Sequence, residues 1–452
     1  MPRVRSRTAI LAIIIILFLC LGGILIYNLP PVHTRLGTRI DELEAKVKYA
    51  LNPPDEAVFI PQQQVALTPT LPTQTATALP PTPTATLPGP TETPVPSATP
   101  TITATPVPEA VSLNGVVYVD QHGRWNYCGP ANLTMALKFW GWPGTRDDVA
   151  AVVKPGIIDL DLDFIQRGKF DKNVMPYEMA DFVANNTDFN VVVRSGGDIE
   201  LIKRLIAGGF PVLVEKGYFE ADYTGKVAWM GHYLFVTGYD ENKGEFTVQD
   251  AYLKPGKDMK SDYQTFIDGW RSFNYLFMVV YPPDREPEVF NLLGDWADPT
   301  WANQHALETA EAEIQTQTGI NEFFAWFNKG SSLVNLIDYN GAATAYDQAF
   351  TLYSQLENDD TQRPYRIMWY QTGPYWAYFY TGRYQDTINL ANTTLYDTIA
   401  EPTLEESLYW RGQAYLALGQ TNEAVVDFRE AVRLNPNFSP GINMLVQLGV
   451  SP

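Results

Sequence analysis

A threonine- and proline-rich stretch from residue 51 to residue 110 sets the first limit on how this chain folds. Its central part, LTPTLPTQTATALPPTPTATLPGPTETPVP, carries almost no charge and no apolar periodicity. Because such a sequence cannot bury a core, it predicts a disordered, partly polyproline II stalk. At ~3.1 Å per residue the stalk would reach on the order of 150 Å if fully extended. Folded domains are therefore expected only after it.

The residues before the stalk predict a membrane anchor. Arg3, Arg5 and Arg7 precede about twenty apolar residues at 8–27, which are enough to cross a ~30 Å hydrocarbon core. The alternative, a cleaved signal peptide, normally has a shorter apolar region that ends in small residues, and neither feature is present. We therefore expect an uncleaved transmembrane helix at 8–27.

The flanks of this apolar run predict its orientation. A basic flank at 1–7 stays in the cytoplasm, so the juxtamembrane segment at 28–50 and everything after it should lie outside the cell. A lipoprotein interpretation through Cys20 is disfavoured because Leu19 precedes it where a small residue is needed. The expected localisation is the cell membrane, with a single span and extracytoplasmic C-terminal domains.

Composition limits the function classes. The chain has 452 residues, a formal net charge of -19 and 45% apolar residues. The length allows two or three domains with cores of their own. The acidic balance, with no clustered basic face, argues against nucleic acid as a partner.

Two folded regions are expected after the stalk. Residues 111–283 combine a helix after Cys128 with the strand-like runs PVLVEKGYF, HYLFVTGYD, EFTVQD and YLFMVVY, which predicts an α+β domain. Residues 284–315 are interpreted as a polar connection without a strong element. Residues 316–452 are predicted to be all-α.

The helical region contains a repeat. Two sets of residues share the spacings 4, 12, 4 and 3 along the chain: Trp326, Gly330, Ala342, Tyr346 and Ala349, then Leu408, Gly412, Ala424, Phe428 and Ala431. Small residues at these positions let two antiparallel helices approach closely while the aromatic fills the gap. The pattern resembles the tetratricopeptide repeat, with a degenerate copy in MWYQTGPYWAYFYTGRYQDTINLANTTL and Pro436 closing the last unit. An ordinary helical bundle is the alternative.

Cys128 is the candidate nucleophile. It is the only cysteine besides Cys20, and it precedes apolar residues at helical spacing, with Pro130 in the first turn and GWPG at the end. The unsatisfied N–H groups and the dipole of a helix N-terminus stabilise a thiolate, which is the nucleophile needed for acyl transfer. The alternative is a buried structural cysteine.

A base and its orienting acid follow in one predicted hairpin. Folding HYLFVTGYDENKGEFTVQD about residues 241–242 places Asp250 opposite residues 232–234, so His232 and Asp250 become cross-strand neighbours. Asp240 would lie in the turn, at the end of the hairpin away from His232. His122 is a rival base for which the sequence positions no acid. The side-chain amide of Gln121, seven residues before the cysteine, is a candidate oxyanion donor.

These residues carry a resemblance. The pattern Gln-x6-Cys-Gly-Pro-Ala-x-Leu, then His followed by apolar residues and Gly-Tyr-Asp, then Asp at the end of the next strand, resembles the papain-like cysteine peptidases. It is most similar to the bacteriocin-leader (double-glycine) peptidase family and its stand-alone relatives, over residues 111–283. The resemblance implies Cys128 as nucleophile, His232 as general base and acid, Asp250 as orienter and Gln121 in the oxyanion hole.

The sequence thus predicts a membrane-anchored, extracytoplasmic cysteine peptidase that cleaves peptide or amide bonds. Its helical repeats should bind a protein partner or the substrate. No cofactor is expected, and the scattered histidines and single available thiol predict no metal site. Two alternatives remain open: a transglutaminase-like acyl transferase that uses the same triad, and a catalytically silent surface scaffold or adhesion module.

Overall fold

The computed structural model describes residues 59–62, 107–124, 126–156, 172–221, 227–356, 363–364, 366–397 and 404–452. The predicted anchor at 8–27, its flanks at 1–7 and 28–50, and most of the predicted stalk lie outside these ranges. Within them, no helix combines the length and apolar character needed to span a bilayer.

The first folded region is built on one antiparallel sheet. Its strands are β1 Ala110–Ser112, β2 Asn190–Arg194, β3 Val212–Ala221, β4 Val227–Asp240, β5 Glu245–Gln249, β6 Met259–Asp262 and β7 Phe277–Tyr281. The strand order is β2-β7-β3-β4-β5-β6, with β1 also paired to β4. The four strand-like runs of the sequence correspond to β3, β4, β5 and β7, and the short strands β1, β2 and β6 were not foreseen.

Helices cover both faces of this sheet. They are α1 Cys128–Phe139, α2 Arg146–Val153, α3 Pro176–Asn186, α4 Ile199–Ala207 and α5 Tyr263–Arg271. Strands β4 and β7 carry buried apolar residues on both sides, because alternate residues face opposite helical layers. Tyr233 and Phe235 of β4 pack in the core with α1, and Leu234 and Val236 pack in the core with α4 and α5. The α+β prediction is confirmed.

The segment 284–315 differs from its predicted character. A 3₁₀ turn at Pro283–Arg285 leads into α6 Glu286–Leu293, a second 3₁₀ turn at Gly294–Ala297 and α7 Pro299–Ile314. The interpretation as an elementless connection is wrong. The buried face of α7 consists mainly of alanines, so its apolar periodicity is weak in the sequence.

The C-terminal region is all-α, as predicted. Its helices are α8 Ile320–Asn335, α9 Tyr339–Gln355, α10 Ile367–Tyr370, α11 Gly373–Tyr380, α12 Tyr384–Asn392, α13 Glu405–Ala417, α14 Thr421–Leu434 and α15 Ser439–Gln447, with a π-helical turn at Thr393–Asp397. A Cβ on Gly330 would lie 2.6 Å from the Tyr346 ring, and one on Gly412 would lie 2.7 Å from the Phe428 ring. Glycine therefore permits the close helix approach that the repeat spacing predicts.

The sheet domain and the helical repeats share a hydrophobic core. Trp229 of β4 stacks on Phe273 with ring centroids 5.7 Å apart, and it also contacts Phe324 of α8 and Tyr370 of α10 at 5.7 Å each. All four residues belong to one buried cluster. The sheet domain and α6 also contain two buried clusters of their own, so the shared cluster is an additional one at the junction.

Two short pieces of the predicted stalk are folded. Residues 107–109 lead into β1, which begins at Ala110, and the Pro108 carbonyl accepts a 2.7 Å hydrogen bond from the Tyr239 hydroxyl. Phe59 is only 6% exposed and packs against Phe350 of α9, with ring centroids 5.0 Å apart. The stalk assignment over 51–110 is therefore wrong at 59–62 and at its C-terminal end.

Candidate active site

Cys128 is the first residue of α1. Pro130 occupies the first turn, and the helix ends at Phe139 before GWPG, as the sequence predicts. Tyr127 at the N-cap gives no side-chain cap, and the backbone N–H of Gly129 is among the groups that lower the pKa of the Cys128 thiol. Val174 packs against Gly129, where a Cβ would lie 3.1 Å from the valine side chain. The thiol thus lies at the positive end of a helix whose first turn is closely packed.

His232 and Asp250 are adjacent, as the hairpin argument predicts. In the hairpin of β4 and β5, Phe235 pairs with Gln249 and Val236 with Val248. A one-residue bulge at Thr237 then shifts the register by one residue toward the turn. The His232 Nε2 and the Asp250 Oδ1 lie 2.8 Å apart. Asp240 is at the opposite end of the hairpin, where it pairs with Lys243.

The Asp250 carboxylate is fixed from several directions. Its Oδ1 also accepts the backbone N–H of Tyr252 at 2.8 Å and of Leu253 at 2.9 Å. The Tyr118 hydroxyl donates to the Asp250 backbone carbonyl at 3.0 Å. These contacts hold the carboxylate against His232 and leave the other imidazole nitrogen for the thiol.

The electrostatics of the three side chains favour an ion pair between Cys128 and His232. Burial raises the pKa of the Cys128 thiol, but the hydrogen bond and charge of His232 and the N–H groups of Tyr233 and Gly129 outweigh it and lower the pKa overall. Burial lowers the pKa of His232, but the Asp250 carboxylate and the contact with Cys128 raise it to about 10. The two pKa shifts therefore favour a thiolate–imidazolium pair over a thiol and a neutral imidazole.

Gln121 and His122, the other two candidates from the sequence, lie beside the group formed by Cys128, His232 and Asp250. The Gln121 backbone N–H donates to the Ala251 carbonyl at 2.9 Å, and its buried side-chain oxygen has no hydrogen-bond partner among the described residues. His122 does have an acid, contrary to the sequence interpretation, because its Nδ1 lies 2.6 Å from Asp120. It stacks on Tyr252 instead of contacting Cys128.

Two buried polar residues near Cys128 were missed. The Asn132 side-chain amide donates to the Cys128 carbonyl at 2.9 Å and to the Tyr233 carbonyl at 3.0 Å, which ties the start of α1 to β4. Glu215, opposite Tyr233 in the sheet, is buried; burial raises its pKa well above the usual value, and Cys128 raises it further. The sequence did contain a signal for each of them. Asn132 is a polar residue on an otherwise apolar helix, and Glu215 is an acidic residue within the strand-like run PVLVEKGYF.

Within the described ranges, no group of three or more His, Cys, Asp or Glu side chains has the geometry to hold a metal ion. The chemistry that the three adjacent side chains can perform is nucleophilic attack by a thiolate, with an oriented imidazolium as proton donor.

Comparisons with known proteins cover both folded regions. Residues 113–278 match the model of the Peptidase_C39 like family, and residues 405–438 match the tetratricopeptide repeat. A solved structure described as a C39-like peptidase from Bacillus anthracis is 16% identical, with 38% of this chain and 96% of that chain covered and a TM-score of 0.30. A comparison with curated proteins found no match. The resemblance inferred from the sequence is thereby confirmed: this chain carries a Peptidase_C39-like domain at residues 113–278, followed by a tetratricopeptide repeat at residues 405–438.

Proposed function

We propose that this protein is a cysteine peptidase that cleaves peptide or amide bonds through a thioester on Cys128. The observation that carries the proposal is that Cys128, at the start of α1, contacts His232, which in turn contacts Asp250. All three residues lie within the Peptidase_C39-like domain. The Cys128 thiolate attacks the scissile carbonyl carbon, and the His232 imidazolium gives its proton to the leaving amine as the C–N bond breaks. His232 then takes a proton from water, which hydrolyses the thioester and releases a carboxylic acid.

Further groups support this chemistry. We assign Gln121 and the N–H groups at the start of α1 to stabilising the oxyanion of the tetrahedral intermediate. The helical repeats would bind a protein partner or the substrate, because a tetratricopeptide repeat is an interaction module.

Trapping the acyl group on Cys128 tests the proposed chemistry. With p-nitrophenyl acetate, acid quench and peptide mass spectrometry should find an acetyl group on the Cys128 peptide, distinguished from that of Cys20. Because the thiol pKa is lowered, the rate of acetylation should rise through an inflection clearly below the ~8.5 of a free thiol. In His232→Gln the inflection should move to higher pH, because burial then raises the pKa of Cys128 without the opposing effect of the imidazolium. An inflection at or above ~8.5 in the unaltered protein would assign Cys128 a structural role.

We also propose that the chain is a single-pass membrane protein with both folded regions outside the cell. This proposal is supported by the position of Arg3, Arg5 and Arg7 before the apolar run at 8–27. Protease added to intact cells should release a fragment that contains residues 107–452. Complete protection in intact cells, together with cleavage after lysis, would contradict this orientation.

A further inference from the structure

A groove follows the junction between the Peptidase_C39-like domain and the helical repeats. It consists of two cavities of about 750 and about 350 Å³ that share Pro176, Thr372 and Trp376 as lining residues. One wall of the larger cavity is α3, and the other is formed by α11 and α13. We call these two cavities together the junction groove.

The junction groove adjoins the candidate active site. Val174, two residues before the shared Pro176, packs against Gly129, and its carbonyl accepts the Tyr233 hydroxyl at 3.1 Å. Glu215 lines the smaller cavity and interacts electrostatically with Cys128. Cys128 and His232 themselves line neither cavity, so Val174 and Glu215 are the residues that connect the groove to the candidate site.

The titratable carboxyl groups of the groove differ in their surroundings. The described lining residues include Glu178, Asp181, Glu215 and Glu406 and no Lys, Arg or His. Burial raises the pKa values of the three glutamates, and Glu178 is bonded to Lys172, so the preference for a cation is based on Asp181. Asp181 is exposed, and its carboxylate makes no hydrogen bond or ion pair with a described residue. A free carboxylate at a concave surface attracts a cation.

Aromatic rings line the same surface. Trp376 is 38% exposed and packs on Trp410 with ring centroids 4.7 Å apart. Tyr380 is 52% exposed and stacks on Tyr339 at 4.5 Å. Exposed aromatic faces beside carboxylates favour a guanidinium or ammonium group over a neutral one.

We propose that the junction groove binds an extended peptide segment through an arginine or lysine side chain, held between Asp181 and the Trp376 ring. That this segment belongs to the substrate rests on the proposed peptidase function. The groove would select cationic peptides for the peptidase.

Binding can be measured without catalysis in full-length Cys128→Ser protein in detergent. The probe is a fluorescein-labelled, end-blocked Gly/Ala decapeptide with one central arginine, and the matched probe carries the uncharged isostere citrulline. Anisotropy should give a Kd at least about threefold lower for arginine than for citrulline, and added salt should weaken only the arginine probe. Equal affinity for the two probes would overturn the proposal.

Substitutions locate the site. Asp181→Asn and Trp376→Ala should each weaken arginine binding by roughly threefold or more, and Asp181→Lys should remove the preference over citrulline. The matched control is Asp284→Asn, an exposed aspartate that lines neither cavity. If Asp181→Asn and Trp376→Ala both bind arginine like the control, the groove is not the binding site.

The two proposals fail separately. Acetylation of Cys128 by p-nitrophenyl acetate needs no groove, so acetylation without a preference for arginine would refute only the groove proposal. Arginine-selective binding without acetylation would refute the peptidase and leave a peptide-binding site.

Discussion

Replacing Asp250 with asparagine should slow acetylation of Cys128 by about tenfold or more while the fold survives. Asparagine keeps the shape and can still accept the two backbone N–H groups, but it removes the negative charge. That charge helps to raise the pKa of His232 to about 10, and the resulting imidazolium lowers the pKa of Cys128. The variant should therefore hold less thiolate at pH 7, with its rate inflection at higher pH.

Asp240→Asn is the matched control. Asp240 lies in the same hairpin, but it pairs with exposed Lys243, and surface pairs contribute little. Its acetylation rate should stay within about twofold of the unaltered protein. Comparable losses in the two variants would show that Asp250 does not act through His232. Circular dichroism melts of both proteins check that each remains folded.

A fragment of residues 107–297, which keeps α6 but ends before α7, should lack a cooperative thermal transition. Removing the repeats exposes Trp229 and Phe273, and burying each such side chain contributes roughly 1.5–3 kcal/mol. It also removes Glu405, whose carboxylate lies 3.2 Å from the buried Lys172 ammonium. Lys172 keeps its contact with Glu178 in the fragment, so the main loss is the burial of Trp229 and Phe273. Together these side chains contribute roughly 3–6 kcal/mol, which is comparable with the lower end of the ~5–15 kcal/mol that stabilises a domain.

Calorimetry of this fragment beside residues 107–452 provides the measurement. The longer protein should unfold in one cooperative transition, because one buried cluster joins the two regions. A fragment that melts cooperatively within a few degrees of the longer protein would show that the Peptidase_C39-like domain is independent of the repeats.

The features that the sequence predicted are local ones. His232 and Asp250 are eighteen residues apart in one hairpin, where the alternation of strand residues and a short turn determine which side chains meet. The start of α1 at Cys128 depends on a few adjacent residues, and so does the glycine–aromatic spacing of the repeats. In each case the repeat of apolar residues and the residues that end the helix or strand lie within one or two neighbouring elements.

The features that were missed depend on contacts distant in the chain. Lys172 bonds Glu178 at 2.6 Å and also contacts Glu405, and no local pattern indicates that these charges meet in the interior. Asn132 bridges α1 and β4 across 101 residues. The helix α7 was missed because Ala302, Ala306 and Ala310 give a weaker apolar stripe than leucines would.

The docking of residues 59–62 changes the geometry of attachment to a membrane. Besides the packing of Phe59, the only aromatic residue between 51 and 108, the Gln62 backbone N–H donates to Asp386 at 2.9 Å. Gln62 and Val107, which flank the stretch 63–106, therefore both belong to one folded body. For a chain anchored at 8–27, only residues 28–58 separate the bilayer from that body. These 31 residues span at most about 100–110 Å, so the height above the membrane is independent of the number of Thr-Pro units between residues 63 and 106.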